Sequence, residues 1–406
     1  ANKTYKLNTG QEIPAIGLGM LFNITPSVKA PGAWTRLTSE QGLGNPPGEV
    51  RKAVYVALEA GYRLIDCAYC YANEDEVGQG LADAFKAGIV KREDIFVVSK
   101  VWTTYNTRVE LGLDKSLKSL GLDYVDLFLV VIKPQGMGLM RLADVMCVAL
   151  AIVDEPNGKG SLSREPTRVA DTNASRQGND DRFPKLPNGE RDIIRSHNHV
   201  DTWKQMEEVL KTGKTKAIGV CNDDKPFFKV HKGRFKRKQY SKRYLEQLLP
   251  HATVIPAVNQ IENHPALPQQ EIVDLCKEKG IHIMAYSPLG STGGPLFRAE
   301  PVVKISEKHG VKPATVLLSY HRTLSLKLPS FLMTVATKDV VVRRGSTVLA
   351  KSVHPERIRE NLNLIELDDD DMKLLNDYSD KLTKEGKLQR FVYPPFGVDF
   401  GFPDKS

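Results

Sequence analysis

The sequence has no apolar run long enough to cross a bilayer. Its most apolar stretch, residues 139–153, carries Arg141 and Asp144, whereas a spanning helix needs about 20 predominantly apolar residues. The first six residues are polar and lack the apolar core of a signal peptide. We therefore expect a protein with no membrane role.

Cysteine is also scarce. The 406 residues include 5 cysteines, and their irregular spacing forms no framework of paired bridges of the kind that staples small secreted domains. This pattern is typical of a reducing compartment, so we expect a cytoplasmic protein.

A one-sided charge is absent over most of the chain, although the net charge is +8. Residues 223–239 hold seven Lys or Arg against two Asp and supply +5 of that total, so the remainder is only mildly basic. The basic run 232–239 with interleaved phenylalanines could bind RNA, but such runs are more often solvated loops. We expect no nucleic-acid partner.

The arrangement of apolar segments favours a barrel. Residues 4–19 read as two strands around an Asn8-Thr9-Gly10 turn, which predicts an N-terminal β-hairpin. Strand and helix patterns then alternate, with helices predicted at 202–211 and 369–378 among others, and several helices end at glycine, such as Gly61 and Gly121. Eight strands, each followed by a helix, favour a (β/α)8 TIM barrel over an open sheet. The predicted barrel strands are 15–19, 64–68, 95–99, 125–131, 217–220, 257–261, 281–285 and 347–350.

Several segments resemble the aldo-keto reductase family in the order in which that family carries them. The string LIDCAYCYANEDEVGQGL (64–81) is similar to the signature around the catalytic aspartate and tyrosine, and VVSKVW (97–102) to that around the catalytic lysine. AIGVCN, AVNQIENHP, AYSPLGS and LAKSVHPERIRENL, starting at 217, 257, 285 and 349, resemble the cofactor-binding segments. Residues 385–403 most resemble fungal glycerol dehydrogenase and aldehyde reductase members.

The resemblance implies a catalytic group of Asp66, Tyr71 and Lys100. Hydride addition to an aldehyde develops negative charge on oxygen, so the site needs a proton donor and a nearby cation. Tyr71 would donate, Lys100 would lower the phenol pKa towards neutrality, and Asp66 would hold Lys100. Taken singly, each residue also fits an ordinary structural role: Asp66 as a helix cap, Lys100 as a solvated strand end and Tyr71 as a loop aromatic.

The resemblance also implies a cofactor site for NADPH or NADP+. No G-x-G-x-x-G follows a predicted strand, so a Rossmann site is not indicated. Lys351, Arg357 and the Ser352 hydroxyl would meet the 2′-phosphate, and two cations there favour NADPH over NADH. The alternative is that Lys351 and Arg357 are an ordinary surface pair at the start of a helix. The implied contacts are Cys221, Asn222 and Gln260 to the carboxamide, Tyr286 to the nicotinamide ring, Ser287, Leu289 and Ser291 to the pyrophosphate, Lys351, Ser352 and Arg357 to the 2′-phosphate, and Glu360 and Asn361 near the adenine. No metal site is expected.

Four stretches depart from the family pattern, near 20–48, 131–153, 223–239 and 322–343. Three of them follow predicted strands directly and should therefore fall on the catalytic face. They are either genuine loop expansions, which cost little entropy, or the product of retained introns or a mis-spliced gene model.

One catalytic position also departs from the family pattern. Val131 occupies the place of a family histidine that orients the substrate carbonyl. His197 and His199 lie before a predicted helix and could in principle approach the site, but we expect them to be solvated.

We therefore expect one aldo-keto reductase barrel domain over residues 1–406, monomeric as many relatives are. The expected reaction is NADPH-dependent reduction of aldehydes or ketones, or the reverse oxidation of glycerol-like alcohols. Val131 leaves a second hypothesis open, an NADPH-binding barrel with little turnover that acts as a sensor or partner subunit.

Overall fold

The fold is described from a computed structural model. It describes residues 3–20, 46–132, 180, 186, 197–222, 230–231, 234–235, 240–290, 294–322 and 344–392.

Eight parallel strands close into a barrel, as predicted. Their order around the barrel is their order in the chain, and the last strand pairs with the first through Val348 and Ile16. The barrel strands are β3 (Ile16–Gly19), β4 (Leu64–Asp66), β5 (Phe96–Val101), β6 (Leu127–Ile132), β7 (Ile218–Asn222), β10 (Val258–Glu262), β11 (His282–Tyr286) and β12 (Thr347–Ala350). Two short strands between β7 and β10, β8 (Val230–His231) and β9 (Arg234–Phe235), pair only with each other and were not predicted.

Helices surround the barrel. Within the described residues they are α1 (Glu49–Ala60), α2 (Glu74–Lys86), α3 (Val109–Leu120), α4 (His199–Lys211), α5 (Tyr240–Leu248), α6 (Gln270–Glu278), α7 (Glu300–His309), α8 (Pro313–Ser319), α9 (Pro355–Glu360) and α10 (Asp369–Glu385). The predicted glycine stops are confirmed at α1 and α3, where Gly61 and Gly121 adopt φ of 110° and 65°. Glycine suits this left-handed conformation because it has no Cβ to clash.

The N-terminal hairpin closes the amino end of the barrel. Its strands β1 (Thr4–Lys6) and β2 (Glu12–Pro14) pair antiparallel. Leu7 and Ile13 pack in one buried cluster with residues at the starts of barrel strands, among them Leu64 and Phe96. Since the amino end is filled by apolar side chains, polar chemistry inside the barrel belongs to the opposite, carboxyl edge.

Two helix boundaries differ from the predictions. The predicted start of α4 at residue 202 is wrong, because Asn198 caps it by accepting hydrogen bonds from the N–H groups of Val200 and Asp201. The predicted end of α10 at residue 378 is also wrong, because the helix continues to Glu385. Its last turns are held by tertiary contacts, since Ser379 donates to the carbonyl of Pro265 and Leu382 is buried.

Among the described residues, no helix is long and apolar enough to cross a membrane. Most of the stretches that depart from the family pattern lie outside the described residues, as does most of the basic segment 223–239. Strands β3 and β7 end directly before two of those stretches, and β6 ends at Ile132, just inside a third.

Candidate active site

A buried ion pair lies at the carboxyl edge of the barrel. Lys100 Nζ is 2.7 Å from Asp66 Oδ1 and donates a second hydrogen bond of 3.0 Å to the carbonyl of Cys67. Asp66 ends β4 and Lys100 is the penultimate residue of β5, so parallel pairing brings the two side chains together. Both side chains are only about one-twentieth exposed. Burial acts to lower the pKa of Lys100, but the Asp66 carboxylate raises it, and the net shift is upward. The ammonium therefore stays charged.

Gln260 links this pair to the far side of the barrel. Its amide Nε2 donates to Asp66 Oδ1 over 2.9 Å, although the two residues are 194 positions apart in the chain. Its carbonyl Oε1 accepts from the Cys221 thiol at 3.4 Å. One polar network thus joins side chains of strands β4, β5, β7 and β10. Within it, Asp66 Oδ1 accepts hydrogen bonds from both Lys100 and Gln260.

Tyr71 lies in a short 3₁₀ turn, Tyr69–Tyr71, just beyond β4. Its side chain is buried, and Lys100 Nζ is 5.3 Å from its ring centroid. Burial raises the pKa of Tyr71 and the Lys100 charge opposes this, with a net upward shift. The expectation that Lys100 brings the phenol pKa towards neutrality is therefore wrong for this structure, because desolvation of the phenolate outweighs the attraction. The hydroxyl is present as the protonated form, which is the form a proton donor needs.

The segment after β11 carries three of the predicted cofactor contacts. Tyr286 ends β11 and is half-buried. Ser287 has φ of 50°, unusual for a residue with a Cβ, and its carbonyl accepts from the N–H of Gly290 in a tight turn. Leu289 is half-buried in the same turn. Ser291 lies outside the described residues, and Asn222 is the last residue of β7.

The segment after β12 carries the other predicted contacts. Lys351 and Arg357 are exposed. Partial burial of the ammonium lowers the pKa of Lys351, and the nearby Arg357 charge lowers it further, against an opposing effect of Glu49. Ser352 is buried and its hydroxyl accepts from the N–H of His354 at 3.1 Å.

The two predicted adenine-side residues are close in sequence but differ in environment. Glu360 forms an ion pair of 2.7 Å with Lys312, so its carboxylate is engaged on the barrel exterior. Asn361 is buried directly after α9.

Position 131 lies at the level of the polar network. The backbone of Val131 pairs with Cys221 in the β6–β7 register, and Leu129, two residues before it, pairs with Lys100. His197 and His199 do not supply a substitute, because His197 bonds Thr202 at the start of α4 and His199 packs on Tyr244 of α5. Both histidines are half-buried, so the expectation that they are solvated is wrong.

One buried carboxylate at the same edge was not among the predicted site residues. Glu262 is the last residue of β10, two positions after Gln260, and is fully buried. It receives hydrogen bonds from the C-terminal segment. An acidic residue at the end of a strand of otherwise buried residues was the available signal.

A closed parallel barrel with a buried Lys–Asp pair and a tyrosine at its carboxyl edge is the architecture of a barrel enzyme. Residues 32–380 match the Aldo/keto reductase family. The chain is 55% identical to a D-galacturonate reductase of Hypocrea jecorina, with 99% of both chains covered. It is 34% identical to a glycerol 2-dehydrogenase (NADP(+)) of Saccharomyces cerevisiae, covering 98% of this chain and 97% of that one.

Solved structures of two reductases superpose on this chain over most of its length. An aldose reductase from Schistosoma japonicum superposes with a TM-score of 0.63 at 29% identity, covering 98% of this chain and 95% of that one. A Bombyx mori aldo-keto reductase in complex with NADP gives a TM-score of 0.60 at 25% identity, with 93% and 92% covered. The chain belongs to the aldo/keto reductase family and is an oxidoreductase of that class.

Proposed function

We propose that this chain reduces aldehydes and ketones to alcohols with NADPH and catalyses the reverse oxidation of glycerol-like alcohols with NADP+. The observation that carries the proposal is the buried Lys100–Asp66 pair with Tyr71 beside it at the carboxyl edge of the barrel. The 55% identity to a D-galacturonate reductase supports a sugar-derived aldehyde as the first substrate to test.

The three side chains divide the work. Tyr71 donates its phenolic proton to the carbonyl oxygen as negative charge develops there. Lys100, which stays charged, stabilises the phenolate that remains on Tyr71. Asp66 holds Lys100 in place, and the Gln260 amide holds Asp66 from the other side.

The residues at the barrel mouth fit a nicotinamide dinucleotide phosphate. Lys351 and Arg357 carry positive charges that are mutually unfavourable, and both would hold the 2′-phosphate by charge-assisted hydrogen bonds. Ser352 would add a hydroxyl to this group, and Glu360 and Asn361 would hold the adenine. Cys221, Asn222, Gln260 and Tyr286 would hold the nicotinamide, and Ser287, Leu289 and Ser291 the pyrophosphate. When bound, the reduced nicotinamide supplies the hydride.

The cofactor assignment is tested by charge removal at the proposed phosphate site. We expect Lys351→Gln and Arg357→Gln each to raise the Kd for NADPH about tenfold or more, because each loses a charge-assisted hydrogen bond, and to leave the Kd for NADH nearly unchanged. Arg359→Gln is the matched control, since Arg359 lies on the same helix but pairs with Glu59. Equal losses for NADPH and NADH would refute the assignment.

The reaction is tested by following NADPH oxidation with D-galacturonate, glyceraldehyde and an aromatic aldehyde. Tyr71→Phe keeps the ring and removes the proton donor, so turnover should fall by about a hundredfold or more while NADPH still quenches protein fluorescence. If Tyr71→Phe turned over as fast as the wild type, Tyr71 would not be the proton donor.

The second candidate function is an NADPH-binding barrel with little turnover, a sensor or partner subunit. The observation that favours it is Val131 paired with Cys221 in the β6–β7 register, at the position where the family histidine is expected. Fluorescence quenching on NADPH titration, without oxidation by any of the three aldehydes, would identify this function.

A further inference from the structure

Glu262 joins the C-terminal segment to the carboxyl edge of the barrel. Its Oε1 accepts from the N–H of Phe391 at 2.7 Å and from His264 Nε2 at 3.1 Å, and its Oε2 is 3.3 Å from Arg390 Nη1. The carboxylate is fully buried and the Arg390 side chain is only 8% exposed. The pair therefore lies in a low-dielectric environment, where loss of one partner is costly.

The carboxylate is held in its charged form. Burial acts to raise the pKa of Glu262, but the hydrogen bond from His264, the Arg390 charge and the Phe391 N–H lower it, and the net shift is downward. Because a carboxylate only accepts hydrogen bonds, His264 Nε2 is the donor in this contact.

The segment anchored in this way contacts the turn after β11. Gln389 donates its N–H to the carbonyl of Ala266 at 2.9 Å, so the segment is fixed on both sides of Arg390. The Phe391 ring packs at 5.0 Å from the His264 ring. Its Cδ2 lies so near Gly290 that a Cβ there would be 3.3 Å away.

The turn that Phe391 contacts is the one that carries Ser287 and Leu289. Leu289 packs in the same apolar cluster as Phe391. Ser287 has a φ of 50°, a left-handed conformation that costs free energy for a residue with a Cβ, so packing around the turn is needed to hold it there. Phe391 supplies packing on one side of it.

We propose that Glu262 is a positioning residue for the cofactor: it clamps Phe391 against the Ser287–Gly290 turn and so holds that turn in its dinucleotide-binding conformation. This inference rests on the proposed function, because it assigns the turn to NADPH. The effect of Glu262 on the cofactor passes through Phe391.

The test compares two variants of the clamp with a matched control. Glu262→Gln removes the charge that holds Arg390 and the segment, and Phe391→Ala removes the packing on the turn. Glu207→Gln is the control, because Glu207 is also buried and accepts backbone N–H groups, from Thr253 and Val254. Those residues precede β10, at the opposite end of the barrel.

The measurements are the Kd for NADPH by fluorescence and hydrogen exchange at residues 286–290. We expect Glu262→Gln and Phe391→Ala each to raise the Kd for NADPH about threefold or more and to speed hydrogen exchange in the turn. Because both act through the same contact, the double variant should have a Kd no higher than that of the more affected single variant. Glu207→Gln should lower the midpoint of unfolding with no change in Kd. If Glu262→Gln does not fold, Phe391→Ala carries the test alone.

Two results would overturn the inference: a Kd in both clamp variants within about twofold of wild type, or an equal rise in Glu207→Gln. Failure of the proposed function appears differently, as a wild-type protein that does not bind NADPH. In that case exchange at 286–290 decides, since faster exchange in the clamp variants supports the clamp and unchanged exchange refutes it.

Discussion

Replacing Lys100 by Met removes the cation but keeps most of the side-chain volume. It leaves the Asp66 carboxylate buried with the Gln260 amide, at 2.9 Å, as its remaining side-chain donor. Removal of one partner from a buried ion pair costs about 3 to 5 kcal/mol. Because Gln260 still donates to Asp66, we expect the free energy of unfolding to fall by an amount near the lower end of that range. Turnover should fall by about a hundredfold or more, because the cation that stabilises the Tyr71 phenolate is gone.

The second variant separates stability from catalysis. In Lys100→Met with Asp66→Asn, no uncompensated charge remains buried, and the side-chain carbonyl of the introduced asparagine can still accept from Gln260. Part of the lost stability should return, whereas turnover should not.

The assays are urea unfolding for stability and NADPH oxidation for turnover. The matched control is Lys373→Met, because Lys373 pairs with Asp377 at 2.9 Å where both side chains are more than half exposed. Such surface pairs contribute about 0 to 1 kcal/mol. A loss of stability in Lys100→Met no larger than in this control would show that the buried pair is not stabilising, as would further destabilisation on adding Asp66→Asn.

Three further predictions address other parts of the fold. Val131→His should raise aldehyde turnover, and fast wild-type turnover unaffected by the change would contradict this. Burial lowers the pKa of His282 from 6.5 to about 4, and its Nε2 accepts from the N–H of Thr347. The unfolded chain therefore binds a proton at this histidine more readily than the folded protein does, and the free energy of unfolding falls as the pH drops below 6.5, by about 3 kcal/mol at pH 4. His282→Gln should make this decline shallower in urea unfolding measured across that pH range. The same dependence of stability on pH in the variant would show that His282 is not its source. A Cβ on Gly78 would lie 2.4 Å from the Leu120 carbonyl oxygen, so Gly78→Ala should cost about 1 to 3 kcal/mol; a midpoint of urea unfolding equal to that of wild type would show that α2 and α3 separate freely.

The strands and most helices could be predicted because their signals are local. The eight barrel strands appear as short apolar segments, and residues such as Gly61 and Gly121 mark helix ends by a backbone conformation that few other residues adopt. The closeness of Asp66 and Lys100 also followed, since carboxyl ends of adjacent parallel strands meet at one edge. The single-domain boundary, the status of the four departing stretches and the roles of the site residues stay predictions.

What the sequence determined by itself is therefore the barrel, its family and the place of Asp66, Tyr71 and Lys100 within it. Tertiary structure alone decided the hydrogen bond from Gln260 to Asp66 and that from the Phe391 N–H to Glu262, which span 194 and 129 positions. It also decided the upward pKa shift of Tyr71. These contacts depend on barrel closure, because closure brings distant strand ends within hydrogen-bond range and removes the water that would otherwise compete for them.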